Sequence, residues 1–111
     1  MSTKKKANSV DAKTYLTKKF GSLTLGRAIR ALRMSEETSQ TDFAEILGVS
    51  RQYLCDLEAD RKAVSVAKAA EFAKLLNQPA MLFIELAIQD ELSRYELPFQ
   101  VTVSEGRKKR A

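Results

Sequence analysis

The chain has 111 residues, 44% of them apolar and 30% charged, with a net charge of +5 and a pI near 9.5, the size and balance of one domain that can bury its own core. Cys55 is the single cysteine and histidine is absent from the sequence, so an internal disulfide is excluded, and zinc chemistry and base-assisted nucleophilic chemistry lack their usual residues. No apolar run approaches the roughly 18–20 residues of a membrane span, and MSTKKKANSV has no signal-peptide core, so a soluble chain with no membrane partner is expected.

Residues 1–9 are polar and basic with almost nothing to bury, which predicts a disordered arm. Val10 to Phe20 predicts a short helix, with Asp11 as N-cap, Tyr15, Leu16 and Phe20 on one side and Gly21 as terminator. From Thr24 to Met34 the residues Leu25, Ala28, Ile29 and Leu32 recur at the three-and-four spacing of one helical face, while Arg27, Arg30 and Arg33 fall elsewhere. Ser39 then caps a helix over Gln40–Leu47, with Asp42 at the capping-box position. Gly48 is free to turn the chain through the left-handed region, Val49 plugs the turn, and Ser50 caps a helix running from Arg51 to about Ala59. In that helix Leu54 and Leu57 point inward, and Arg51, Gln52, Cys55 and Asp56 cannot all be buried.

Ser65 caps Val66–Leu76, whose stripe is Val66, Ala69, Ala70, Ala73 and Leu76 with Phe72 on a flank. Pro79 opens a helix over Ala80–Arg94 that is expected to bury Leu82, Phe83, Leu86 and Ala87 and to expose an acidic face. Leu97–Val103 alternates as a strand, with Phe99, Val101 and Val103 on one side. With no second strand in the chain, its backbone needs an edge from elsewhere, most simply the same strand of a second subunit. Residues 105–111 read as a basic tail.

Charge is distributed unevenly along this series. Residues 1–21 hold six lysines against Asp11, and residues 107–110 read RKKR. Residues 22–78 balance eight basic against eight acidic side chains, and residues 79–106 set Arg94 against five acids. The excess sits in the ends, either as solvated tails or as arms that track phosphates. A near-neutral middle must obtain any specificity from geometry.

Helix, sharp glycine turn and capped helix with a polar outer face is the geometry that projects a helix into the major groove of DNA. Arg51 and Gln52 stand at its start, where arginine can pair with the guanine O6/N7 edge and glutamine with the adenine N6/N7 edge. Asp56 either accepts from cytosine N4 or orients Arg51 or Gln52. Cys55 reads as a small half-exposed residue, since a catalytic thiol needs a base.

The run SQTDFAEILGVSRQYLCDLEADR, from Ser39 to Arg61, closely resembles the Cro/phage-repressor (XRE) family, and the resemblance extends over roughly Leu25 to Leu76. It implies that Gln40 bonds a phosphate and braces the start of the recognition helix, and that Ser50, Arg51, Gln52 and Asp56 face the groove. It further implies that Tyr53 meets the backbone or a thymine methyl and that Arg61 and Lys62 neutralise phosphates. Arg33 and Glu58 match the family's structural pair. The chain departs from the family pattern at Asp60, where glycine is usual, at Ala59, and at Glu37 and Thr38, where glycine and leucine are common.

The fold expected is therefore all-α. A five-helix Cro/repressor-like helix-turn-helix domain (22–96) follows an arm (1–9) and an extra helix (10–21). A dimerisation strand (97–104), paired across a dimer through Phe99, Val101 and Val103, and a tail (105–111) complete the chain. The expected activity is non-enzymatic: a cytoplasmic, nucleoid-associated homodimeric repressor of a palindromic double-stranded DNA operator, with no cofactor and no metal. The alternative is an antitoxin of the HipB type that autoregulates its operon and binds a toxin partner; co-purification of a second protein would distinguish the two.

Overall fold

The computed structural model describes residues 23–107, and the expected arm, the Val10–Phe20 helix and the last four residues lie outside them. Five helices follow in order: α1 Leu25–Ser35, α2 Gln40–Leu47, α3 Arg51–Glu58, α4 Val66–Leu75 and α5 Ala80–Arg94. The first four start alike. The side chains of Thr24, Ser39, Ser50 and Ser65 accept the backbone N–H of the residue three places on, which satisfies one of the donors a helix start leaves open. Pro79 precedes α5 without a side-chain cap.

These caps set helix directions so that α2 packs on α3, α1 on both α3 and α5, and α4 along α5. Leu25, Ile29, Phe43, Leu54, Leu57 and Phe72 are fully buried at their meeting point, each contributing about 1.5–3 kcal/mol by leaving water. Gly26 permits the α1/α3 approach. A Cβ there would lie 2.0 Å from the Leu57 carbonyl oxygen, inside any contact that backbone can accept.

The structure corrects several sequence expectations. Phe72 is the centre of the α4 stripe rather than its flank, because it is three residues from Ala69 and four from Leu76. Val66, in the first turn of α4, lies at the end of that stripe and is exposed. Leu82, expected in the core, is exposed as well, and so is Ile46. Leu82 sits about a quarter-turn from the Phe83, Leu86 and Ala87 line, and Ile46 lies off the side of α2 carrying Phe43, Ala44 and Leu47.

No strand forms over residues 97–107. A ladder needs a second backbone, and the described residues offer none; a side chain takes part of that role instead. Gln89 on α5 donates from Nε2 to the Phe99 carbonyl at 2.9 Å, and its Oε1 accepts the Val101 N–H at 2.8 Å. This amide replaces one peptide of a neighbouring strand and draws the segment back onto α5. Val101 and Val103 are half-buried by it, whereas Phe99, expected on the same side, is 63% exposed.

Candidate nucleic-acid interface

Gly48 ends α2 at φ 71° and ψ 30°, the left-handed conformation that a Cβ disfavours. Its N–H returns to the Glu45 carbonyl, and the Val49 N–H reaches the Ala44 carbonyl. Val49 packs half-buried against the core. Ser50 Oγ then accepts the Tyr53 N–H at 3.0 Å and starts α3. Three adjacent residues thus turn the chain from one helix to the next.

Burial along α3 divides its surface. Leu54, Leu57 and Glu58 are buried, Tyr53, Cys55 and Asp56 half-buried, and Arg51 and Gln52 exposed. Partial burial pushes the Tyr53 phenol above its ordinary pKa, so it stays protonated and able to donate at neutral pH. Arg51 makes no hydrogen bond or ion pair to another described residue, which leaves its five donors available.

The inner side of α3 is tied to α1 through Glu58. Arg33 Nε lies 2.7 Å from Glu58 Oε2 and Arg33 Nη2 2.9 Å from Oε1, with the two side chains only 14% and 3% exposed. Gln40 Nε2 adds a third bond to Oε1 at 3.1 Å, and Arg33 Nη1 donates to the Thr38 carbonyl at 2.9 Å. The bond to Glu58 holds the Arg33 pKa above its ordinary value. Among the hydrogen bonds of the described residues, Gln40 therefore braces the end of α3 rather than its start.

The outer side carries the same residue types in a different setting. Asp56 Oδ1 accepts from Arg61 Nη2 at 2.9 Å, Arg61 Nε at 3.1 Å and Gln52 Nε2 at 3.1 Å. Hydrogen bonding from Arg61, and then from Gln52, lowers the Asp56 pKa and keeps the carboxylate charged. The four-residue spacing of Gln52 and Asp56 was the sequence signal for half of this cluster. Arg61 joins because the chain turns back at Asp60.

Asp60 and Glu37 occupy the left-handed region, at φ 63° and 53°, which is the physical reason glycine suits both places. At Asp60 the strain is offset by contacts that glycine could not make. Thr24 Oγ1 donates to Asp60 Oδ1 at 2.6 Å, and Arg27 Nε lies 3.3 Å from Oδ2. The exit of α3 is thereby bound to the cap of α1, a link absent from the sequence reading because its partners are 36 positions apart.

A cavity of about 530 Å³ opens between the start of α1, α5 and the C-terminal segment. Its lining includes none of Arg51, Gln52, Asp56 or Arg61, so it lies apart from the polar face of α3. No group of three or more potential metal ligands gathers among the described residues, and no helix among them is long and apolar enough to cross a membrane.

A helix-turn-helix family model matches residues 29–82, from the middle of α1 into α5. Residues 29–82 are thus a helix-turn-helix DNA-binding domain of the Cro/phage-repressor (XRE) type. Among curated proteins, the chain is 32% identical over 75 residues to an immunity repressor protein of Bacillus phage phi105, covering 66% of the chain and 52% of that repressor. It thus spans about half the length of the relative it matches. No solved structure matches the chain significantly.

Proposed function

We propose that the chain is a DNA-binding transcriptional repressor that reads base edges with the outer face of α3. The observation that carries this reading is the division of α3. Its inner side is anchored by the buried pair of Arg33 with Glu58, while Arg51 and Gln52 stand exposed in its first turn, where a groove-entering helix presents side chains to bases. Ser50 and Tyr53 border the same turn, Asp56 lies one turn on, and Arg61 and Lys62 follow beyond the helix to meet phosphates. The resemblance to a phage immunity repressor supports repression by occupying a promoter.

The repressor acts as a homodimer on a palindromic operator, because two copies of α3 about 34 Å apart engage successive major-groove half-sites. The dimer surface is the outer side of α5. Opposite Phe83, Leu86 and Ala87, that helix carries a second apolar line of Met81, Ile84, Ile88 and Leu92, which continues into exposed Tyr95, Leu97 and Phe99.

Selection of bound duplexes from random DNA tests the reading. Two inverted half-sites one helical turn apart should emerge, binding should weaken steeply with salt, and Arg51→Ala should cost about 1–3 kcal/mol while relaxing one base position. Unchanged binding of the selected duplex by Arg51→Ala would remove Arg51 from the interface. A monomer by sedimentation at binding concentrations would remove the dimer. The antitoxin reading differs in partner rather than in fold and requires a second protein to co-purify with the chain.

A further inference from the structure

Asp56 places a carboxylate on a surface that meets a polyanion, and that cost needs a return. Folding does not supply one, since exposed ion pairs add little to stability, and Arg61 is 59% exposed. The return lies in how the two oxygens are used. Oδ1 receives all three donors, from Arg61 Nη2, Arg61 Nε and Gln52 Nε2, and this fixes the side chain. Oδ2 has no hydrogen-bond partner among the described residues, and neither has Nη1 of Arg61.

Base chemistry narrows what an open carboxylate oxygen can accept. In the major groove guanine presents O6 and N7 and thymine presents O4, all acceptors that repel it. Adenine offers N6–H beside the N7 acceptor, whereas cytosine offers N4–H alone. A rigid anion on a groove-facing helix is therefore matched best by cytosine.

We propose that Asp56 determines specificity in this protein: its Oδ2 accepts a hydrogen bond from cytosine N4 in the recognised sequence, while its charge weakens binding wherever that cytosine is missing. Arg61 is the positioning residue. It clamps Oδ1 through Nε and Nη2 and leaves Nη1 for a phosphate. The proposal rests on α3 being the DNA-reading helix.

Duplex selection with the full wild-type chain, Asp56→Asn and Arg61→Ala tests it, followed by titration of three duplexes at fixed salt: the selected one, the same duplex with the C·G pair replaced, and a random one. Wild type should favour the C·G pair by about ten-fold or more. Asp56→Asn, equal in size and neutral, should lose most of that preference and bind the random duplex about three-fold tighter, as expected for removing one like charge near phosphates in water. Arg61→Ala should weaken all three duplexes and reduce the preference in part, because Gln52 alone then holds Oδ1. An Asp56→Asn base profile identical to wild type would overturn the proposal while leaving α3 as the reading helix, and an undiminished cytosine preference in Arg61→Ala would overturn the positioning role of Arg61. If wild type enriches no sequence, the DNA-reading assignment falls and this proposal with it.

Discussion

Two clusters of arginine, carboxylate and glutamine flank α3, and their composition hides how differently they work. On the inner side Arg33, Glu58 and Gln40 join three helices, with the Glu58 side chain 3% exposed. On the outer side Asp56, Gln52 and Arg61 belong to α3 and the turn after it, and Arg61 is open to water. In water the second set gains little from its Coulomb attraction. In the interior the first set has lost its hydration, so each member depends on the others. Burial, more than residue type, decides whether a charged cluster holds a fold together or stays open to solvent and partners.

The sharpest way to break this contrast is to delete one carboxylate from each cluster. Glu58→Ala should cost about 3–5 kcal/mol in denaturant unfolding, because it strands the Arg33 guanidinium without its partner. Asp56→Ala should leave the unfolding midpoint nearly unmoved and alter DNA binding instead. Equal destabilisation by the two would abolish the distinction.

Next in size is Gly26→Ala. Its methyl group would overlap the Leu57 carbonyl, forcing α1 away from α3 at a cost of about 1–3 kcal/mol. Because the displaced contact lies on the inner side, operator affinity should fall together with thermal stability, whereas Asp56 variants should separate the two. Ser50→Ala removes the α3 cap and should cost about 1 kcal/mol. That loss bears on both clusters, since both hang from α3, and an unaltered melting curve would show that the first turn is held by other bonds.

The smallest effect concerns Asp90, a half-buried carboxylate on α5 whose Oδ2 accepts the Leu25 N–H at 3.0 Å. Burial raises its pKa, opposed by the bond from Leu25. The native state then binds the proton more tightly than the unfolded chain, so stability must fall as pH rises from the ordinary aspartate range through the raised native value. Asp90→Asn can keep the acceptor oxygen and has no proton to lose. The stability difference between variant and wild type should therefore move in the variant's favour across that window and stay constant above it. A pH-independent difference in urea midpoints would show that Asp90 does not titrate differently on folding.

Three helix caps, the glycine turn and most of the core were legible in the sequence, because caps, three-and-four spacing and a left-handed glycine act over a few neighbouring residues. Gly48 and Ser50 show this: their conformations and bonds depend on residues within one turn. The same local rules failed where a distant neighbour decided the outcome. The expected strand gave way to a side-chain amide on α5. Gln40, next to its own helix cap, turned to Glu58 18 positions away.

The polar outer face of α3 follows the same division. Local pattern alone determined that Arg51, Gln52, Cys55 and Asp56 could not all share the side of Leu54 and Leu57, since a helix has one inner face and the two leucines occupy it. Only the folded chain decided that Asp56 would be held through one oxygen and left open at the other. That outcome depends on Arg61 coming back after the left-handed turn at Asp60, and on Thr24 and Arg27 of a different helix holding the turn in place.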